Sequence, residues 1–219
     1  MTDTRNCEQC GIAFTPRREH ARFCSVRCRM AWGRERMDVP AVEVSALQWS
    51  ITAMSDTVDV LSGVRVWDRP RAIAAIGEAV WSVTIVDATL VRYHPEAYDV
   101  VMAGRSPAER PLIEKTLAGL RFVRNQIAQD VDLAEFVAPC APDPGGDIRP
   151  VTGWTWKSAP QPALASLAPR AQAWEMRRFR AYQIQLAGHT VGQIFNRAVA
   201  FLELTAADAL TDLATPAAR

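Results

Sequence analysis

Four of the chain's five cysteines lie within residues 7–28, and this cluster constrains the fold more than any other feature of the sequence. Two residues separate Cys7 from Cys10, thirteen separate Cys10 from Cys24, and three separate Cys24 from Cys28. Two close pairs of thiols suit a tetrahedral zinc ion with Zn–S distances near ~2.3 Å. Because four sulfurs fill the coordination shell and leave no place for water, we predict one structural zinc ion and not a catalytic one.

Other roles for the cysteines fit the sequence less well. A redox role for Cys7 and Cys10 requires a βαβ context, which the surrounding sequence does not provide. His20 lies between the two pairs and is an alternative ligand. The first residues lack the apolar run of a secretory signal, so we expect a cytoplasmic location, where disulfides are rare. No run of about 18 apolar residues occurs, and we expect no membrane span.

The residues around the cysteines predict the local structure of this module. Gly11 directly follows the first pair, where a glycine permits a tight turn that points backbone N–H groups at the sulfurs. Ser25 is a suitable N-cap for a helix that carries Cys28 on its first turn. Three aromatic residues are expected to form a small apolar core: Phe14, Phe23 and Trp32.

The sequences CEQCG and RFCSVRC resemble those of FCS-type zinc fingers, the treble-clef modules that include TRASH and MYM-like fingers. The resemblance covers about residues 5–36 and rests on a cysteine knuckle followed by Phe-Cys-Ser at a helix start. It implies a treble-clef fold around one structural zinc ion. Such fingers bind nucleic acids in some proteins and other proteins elsewhere, so the resemblance implies binding and leaves the ligand open.

The cysteine-rich segment is also basic. Residues 1–36 hold eight arginines against four acidic residues. Three of the arginines are placed to offset the net negative charge of a zinc ion bound by four thiolates: Arg22, Arg27 and Arg29. Four more exceed what charge compensation requires, and we predict that they bind RNA, DNA or an acidic partner: Arg17, Arg18, Arg34 and Arg36. Arginine outnumbers lysine 23 to 2 over the whole chain, a bias typical of a GC-rich bacterial genome.

Beyond residue 40 the apolar residues recur at the three- and four-residue steps of an amphipathic helix. One predicted helix opens with Ser106 and Glu109, which form a capping box, and continues through a stripe that includes Leu112. Pro95 is expected to stop or bend the preceding helix. Six of the seven tryptophans are assigned mainly to the core or to loop anchoring: Trp49, Trp67, Trp81, Trp154, Trp156 and Trp174.

These patterns predict a mainly α protein in two parts. A small treble-clef zinc finger with four cysteine ligands occupies residues 1–37, and an all-α domain of about five helices spans residues 41–207. A loop rich in proline and glycine interrupts that domain at about residues 138–163, with a short extended stretch around residues 151–156. The last two helices are joined at Gly188.

The sequence LRFVRNQIAQD at residues 120–130 resembles the arginine-polar-x3-histidine motif of HEPN-like domains. Those domains are helical, usually dimeric, and many are metal-independent ribonucleases. Arg124 and Asn125 match the first two positions, whereas Gln129 stands where the histidine is expected. An amide cannot take a proton from the 2′-hydroxyl of RNA near neutral pH, and Asp130 is a weak base, with a reference pKa near ~3.9. The departure favours a binding or dimerisation module over a nuclease.

We therefore predict a non-catalytic zinc-finger protein that binds nucleic acid, or a partner associated with nucleic acid, through its basic finger. One alternative is a HEPN-type ribonuclease that uses Arg124 and Asn125, with His94 or His189 as the missing base. A second alternative is a protein-interaction scaffold, and the helical domain is a candidate for homodimer formation. The sequence contains no Ser/His/Asp set, no P-loop and no dinucleotide fingerprint.

Overall fold

The computed structural model separates the chain into two compact units, residues 1–43 and residues 44–219. The residues that it describes are 4–16, 21–25, 27–28, 40–64, 68–129, 131–140, 153–165 and 167–214. The described part is mainly helical, as predicted. Each unit has its own secondary structure, so the two are considered in turn.

The smaller unit contains one short antiparallel hairpin. Strands β1 (Arg5–Asn6) and β2 (Ala13–Phe14) pair with Arg5 opposite Phe14 and Asn6 opposite Ala13. The first pair of cysteines lies in the connection between these strands, and residues 27 and 28 are helical. The hairpin therefore presents Cys7 and Cys10, and a helix start presents Cys28. Trp32 of the predicted aromatic core lies outside the described residues.

Six α-helices account for most of the described chain beyond residue 39. They are α1 (Pro40–Gly63), α2 (Arg69–Tyr93), α3 (Pro95–Ala103), α4 (Glu109–Ile127), α5 (Pro169–Gln185) and α6 (Val191–Ala214). A 3₁₀ helix (Leu133–Glu135) and strand β3 (Val137–Ala138) follow α4, and strand β4 (Thr155–Trp156) precedes α5. Pro95 does end α2, but it also begins the short helix α3, because proline is favourable at a first helical position.

The start of α4 shows how closely local sequence determines a helix boundary. The backbone N–H of Ser106 donates to Glu109 Oε2 at 3.0 Å, and the backbone N–H of Glu109 donates to Ser106 Oγ at 3.2 Å. These two bonds are the reciprocal pair of a capping box, so that prediction is confirmed. Hydrogen bonds from the side chain and the backbone N–H of Ser106 stabilise the carboxylate and lower the pKa of Glu109.

The core of the larger unit lies between the inward faces of its helices. On α1 the predicted stripe is buried at Leu47, Met54, Val58 and Leu61. The corresponding prediction for Leu112 is wrong, because 39% of that residue is exposed.

The tryptophans divide between the core and the surface. Trp154 and Trp156 are buried as expected. Three tryptophans assigned to the core are instead substantially exposed: Trp49 at 74%, Trp174 at 49% and Trp81 at 41%. Trp67 lies outside the described residues.

Helix α2 is long and apolar enough to cross a membrane, with a mean hydropathy of 1.5 over one 18-residue window. Half of that window is buried inside the fold. Ile76, Val80, Val83 and Leu90 are fully buried on its inner face. Packing in the protein core accounts for the apolar character of this face.

Strand β4 connects the loop region to the turn between α5 and α6. Trp156 donates its backbone N–H to His189 O at 3.0 Å and accepts from Gly188 N at 2.8 Å. Gly188 has a φ of +83°, in the left-handed region that favours glycine, and it joins the two helices as predicted. The extended stretch predicted around residues 151–156 is confirmed at Thr155 and Trp156, and residues 141–152 lie outside the described part.

Helices α4 and α5 are in close contact at Gly119. A Cβ atom placed there lies 3.1 Å from the Cα of Tyr182 and 2.5 Å from a methyl group of Leu186. The first of these contacts is with backbone and is not relieved by a side-chain rotation. The glycine therefore allows the two helices to pack at this distance, and any side chain at position 119 forces them apart.

We expect Gly119→Val to lower the free energy of unfolding by about 2–3 kcal/mol, because an inserted side chain overpacks the α4–α5 contact. Urea denaturation followed by circular dichroism measures the change. Gly77→Ala in α2 is the matched control, since its added Cβ meets only Leu133 at 3.5 Å, an ordinary contact. That control should be neutral or stabilising by up to about 1 kcal/mol. Equal effects of the two substitutions contradict the close-packing argument.

Candidate metal centre and a buried polar cluster

The first cysteine pair lies in a tight turn between β1 and β2. Cys7 donates its backbone N–H to Ile12 O at 3.0 Å, and Gly11 donates to Cys7 O at 2.8 Å. Gly11 has a φ of +70°, which explains why glycine suits this position. The turn directs the backbone N–H groups of Gln9 and Cys10 at the Cys7 sulfur and that of Ile12 at the Cys10 sulfur.

The second pair lies at the beginning of a helix. Ser25 Oγ accepts a hydrogen bond from the backbone N–H of Cys28 at 3.1 Å, so the predicted N-cap is confirmed. Glu8 donates its backbone N–H to Arg22 O at 3.1 Å, which ties the hairpin to the segment that leads into Cys24. Local hydrogen bonds thus contribute to the placement of both pairs.

The four sulfurs converge on one point. All lie within 4.8 Å of one another, with Cys10 Sγ 3.7 Å from Cys24 Sγ and Cys24 Sγ 3.5 Å from Cys28 Sγ. A tetrahedral ion with metal–sulfur distances of ~2.3 Å requires sulfur–sulfur distances of ~3.8 Å. The four cysteines are therefore positioned to hold a metal ion, and the cluster needs little rearrangement to do so. His20, the alternative ligand, lies outside the described residues.

The close approach of the sulfurs opposes their ionisation. Burial raises the pKa of Cys7, but N–H groups of Cys24, Cys10 and Gln9 point at its sulfur and bring the pKa down to about 6. The sulfurs of Cys28 and Cys10 raise the pKa of Cys24 to about 12. In the absence of a cation, ionisation of one thiol therefore disfavours ionisation of its neighbour. A divalent ion at the centre removes this repulsion, because thiolates are its ligands.

The arginines nearest the cluster differ in what they contact. Arg22, predicted to offset the charge of the metal site, forms a two-pronged ion pair with Glu8, with distances of 2.6 and 2.5 Å. Its guanidinium also lies 5.7 Å from the centre of the Phe23 ring. Arg22 therefore pairs with the Glu8 carboxylate, whereas the sequence predicted that its positive charge offsets the thiolates. Arg29 and the four arginines predicted to bind nucleic acid lie outside the described residues: Arg17, Arg18, Arg34 and Arg36.

We expect purified protein to contain about one metal ion per chain and Cys24→Ser to lose it, since a hydroxyl is a poor replacement for a thiolate ligand. Elemental analysis of protein prepared without chelator measures this directly. Cys140→Ser is the matched control, because the fifth cysteine lies outside the cluster and contacts Thr155 Oγ1 at 2.8 Å. Retention of the metal by Cys24→Ser, or its loss from Cys140→Ser, contradicts this assignment of ligands.

In the larger unit, a polar cluster links α2, α3, α4 and α5, and its first half centres on Asp87. This carboxylate is fully buried, accepts a hydrogen bond from Arg121 Nε and accepts another from the Tyr98 hydroxyl at 3.3 Å. Burial lowers the pKa of Arg121, whereas the neighbouring Asp87 carboxylate raises it. The net shift of this pKa is upward. Burial and Asp87 both raise the pKa of Tyr98. Arg121 is therefore the charge partner of the buried Asp87 carboxylate.

The second half of the polar cluster centres on Glu175, which is 5% exposed on α5. Its carboxylate accepts hydrogen bonds from Asn125 Nδ2 at 3.1 Å, from Gln126 Nε2 at 3.4 Å and from Arg178 Nη1 at 3.2 Å. Arg124 Nη2 donates to Asn125 Oδ1 at 2.9 Å. Asn125 thus uses both ends of its amide to connect Arg124 on α4 with Glu175 on α5.

The residues of the proposed ribonuclease motif are therefore engaged in helix packing. Burial, together with the nearby Arg178 and Arg121, lowers the pKa of Arg124. Gln129 is exposed beyond the end of α4, and Asp130 lies outside the described residues. His189 follows the C-terminal end of α5, and the ten residues from Glu175 to Gln185 alone span about 15 Å of helix. Within the described hydrogen bonds, neither His94 nor His189 reaches Arg124 or Asn125.

The sequence indicates that one carboxylate of this cluster is buried, but not the other. Asp87 occupies a core position of the apolar stripe of α2, and a carboxylate at such a position signals a buried cationic partner. Glu175 carries no comparable signal, because it stands in the charged sequence AWEMRRFR, where a solvent-facing position is the ordinary expectation. Two of its three hydrogen-bond donors lie on α4 and become evident only from the packing of α4 on α5.

Comparison with known proteins assigns the chain to no family. No protein-family model, no curated protein and no solved structure matches it. What can be said of its function therefore depends on the geometry of its own residues. The two features that bear on function are the cysteine cluster of the smaller unit and the polar cluster of the larger one.

We expect Arg121→Met to lower the free energy of unfolding by about 3 kcal/mol, because it leaves the Asp87 charge buried and unpaired. Combining it with Asp87→Leu should recover most of that loss. Arg124→Met is a matched control one helical turn away, since Arg124 forms no ion pair among the described residues, and should cost about 1 kcal/mol. Equal losses in the two single variants, measured by urea denaturation, would show that the ion pair with Asp87 has no special weight.

Proposed function

We propose that this chain is a zinc-finger protein whose N-terminal unit binds nucleic acid without catalysing a reaction. The spacing of the four sulfurs is the observation that carries the proposal. Sulfur–sulfur distances of 3.5 and 3.7 Å fit a single tetrahedral ion, and four thiolate ligands favour zinc among the common metals. With all four positions taken by Cys7, Cys10, Cys24 and Cys28, the ion is structural.

The layout of the smaller unit supports a treble-clef finger of the FCS type. A hairpin carries the first cysteine pair in its turn, and a capped helix start carries the second pair. Backbone N–H groups point at the Cys7 and Cys10 sulfurs, as a zinc knuckle requires. The Phe-Cys-Ser sequence places Ser25 as N-cap directly after Cys24, which matches the sequence resemblance.

The basic residues of the finger support nucleic acid as its ligand. Arg17 and Arg18 lie between the two cysteine pairs, and Arg34 and Arg36 follow the second pair. Because the sulfurs that bound the first of these segments are 3.7 Å apart, its two ends are held together. All four arginines belong to one short stretch of sequence around the cysteines. Phosphate groups bind such clusters through charge and counterion release.

The ribonuclease alternative has weaker support. Its motif needs a group with a pKa near neutrality within reach of Arg124, and Gln129 does not titrate in that range. The amide of Asn125 already bridges Arg124 and Glu175. We therefore propose a structural role for this pair in joining α4 to α5, and place the binding function in the finger.

We expect the affinity of the full-length protein for single-stranded RNA to fall steeply with salt. Replacing Arg17, Arg18, Arg34 and Arg36 together by alanine should reduce the slope of log affinity against log salt by about 3, at about 0.7 per phosphate contact. Fluorescence anisotropy over a salt series measures the slope. Metal content, measured in parallel, shows whether the finger of the variant remains folded.

The matched control replaces four exposed arginines of the larger unit by alanine: Arg69, Arg71, Arg170 and Arg180. It removes the same charge from the chain and should leave the slope within about one unit of the parent value. Equal slopes for the parent and the finger variant, with metal retained, would overturn the proposal that the finger binds nucleic acid. A slope lowered equally by both variants would overturn it too, because it would show only a general effect of net charge.

A further inference from the structure

The outward face of α2 carries a stripe of exposed residues whose apolar centre has one charge on either side. Its six members are all exposed and follow one another at alternating steps of four and three residues: Ala74, Glu78, Trp81, Ile85, Ala88 and Arg92. Trp81 is 41% and Ile85 51% exposed. Alternation of these two steps is the spacing by which one helix packs along another. We call these six residues the outer stripe.

The outer stripe makes α2 apolar on both sides. The inner face is already buried at Ile76, Val80 and Val83, so the outer stripe takes no part in the core. A helix at the surface of a globular unit normally presents charged residues to water. A tryptophan and an isoleucine in the middle of the outward face therefore indicate a surface that packs against a partner.

The charges at the two ends indicate what that partner is. Ile85 lies seven residues from Glu78 and seven residues from Arg92, so the acidic and basic ends are equidistant from the centre. When a second outer stripe lies antiparallel on the first about Ile85, each Glu78 meets the other copy's Arg92. Trp81 then lies within one residue of the level of the small Ala88. The surface is complementary to itself in charge and in size, as a two-fold interface requires.

The charged ends of the outer stripe are available for this pairing. Among the described residues, neither Glu78 nor Arg92 forms an ion pair. The guanidinium of Arg92 lies 5.2 Å from the centre of the adjacent Tyr93 ring, a contact that leaves its donors free for a carboxylate. Each charge is about 10 Å from the centre of the stripe, at 1.5 Å per helical residue. Two ion pairs therefore flank one apolar contact.

We propose that the outer stripe is a homodimer interface, in which α2 of one chain packs antiparallel on α2 of a second copy. Symmetry doubles the effect of every substitution in the stripe, because each residue is present twice in the interface. Opposite charges at its ends select the antiparallel orientation, since a parallel pair places Glu78 against Glu78 and Arg92 against Arg92. The apolar centre supplies the attraction and the charges set the register.

Charge reversal tests this proposal with the full-length protein. Sedimentation equilibrium measures the dissociation constant of the dimer for the parent chain, for Glu78→Arg, for Arg92→Glu and for the double variant. We expect each single reversal to raise the dissociation constant at least about tenfold, because it creates two like-charge contacts. The double reversal restores both pairs with exchanged partners and should return the constant to within about threefold of the parent value.

Glu114→Arg is the matched control, since Glu114 is exposed on α4, away from the stripe, and should leave the dissociation constant unchanged. All variants alter exposed residues, so each should retain the circular dichroism spectrum of the parent. A parent chain that stays monomeric up to about 100 µM, the weak end of specific association, overturns the proposal. A dimer that is insensitive to both single reversals, or is not restored by the double reversal, overturns it too and assigns the dimer to another surface.

Discussion

The mutual distance of four sulfur atoms is the constraint on which the smaller unit depends. The neighbouring sulfurs, 3.5 and 3.7 Å away, raise the pKa of Cys24, and yet ionised thiols are what a metal ion binds. The unit has few apolar residues to replace this interaction, since Phe14 and Phe23 are only partly buried. Below about 40 residues, chains usually need such a staple to fold. We therefore expect metal binding and folding of this unit to be coupled.

The larger unit is organised by a different rule. Its stability comes from apolar helix faces, which by themselves permit several registers between neighbouring helices. The two halves of the polar cluster restrict that freedom, because the observed register places Arg121 beside Asp87 and turns Asn125 and Gln126 towards Glu175. A slip of one turn in α4 breaks the Arg121 bond to Asp87 and the two amide bonds to Glu175. In this arrangement the cluster contributes to specificity more than to net stability.

Features encoded by neighbouring residues were predictable from the sequence, and features that depend on the surroundings were not. The cysteine pairs, the Ser25 cap and the capping box at Ser106 all depend on spacings of three or four residues, where chain connectivity sets the geometry. Three tryptophans were misassigned because hydrophobicity shows that a residue gains by burial, but not which surface buries it. The prediction that Leu112 is buried was wrong for a similar reason, since this residue lies at the edge of its stripe. The partners of Glu175 depend on the packing of two helices separated by some forty residues of chain.

The pairing of β3 with β4 affects how the chain tolerates a change in the length of the segment between them. Ala138 lies opposite Thr155, and Trp154 and Trp156 fix the second strand in the core and against the turn at Gly188. Both ends of the intervening segment are thereby anchored, whatever its length. Doubling the length of such a segment costs only about 0.6 kcal/mol in closure entropy. We therefore expect an insertion between residues 140 and 153 to leave the pairing of the two strands intact.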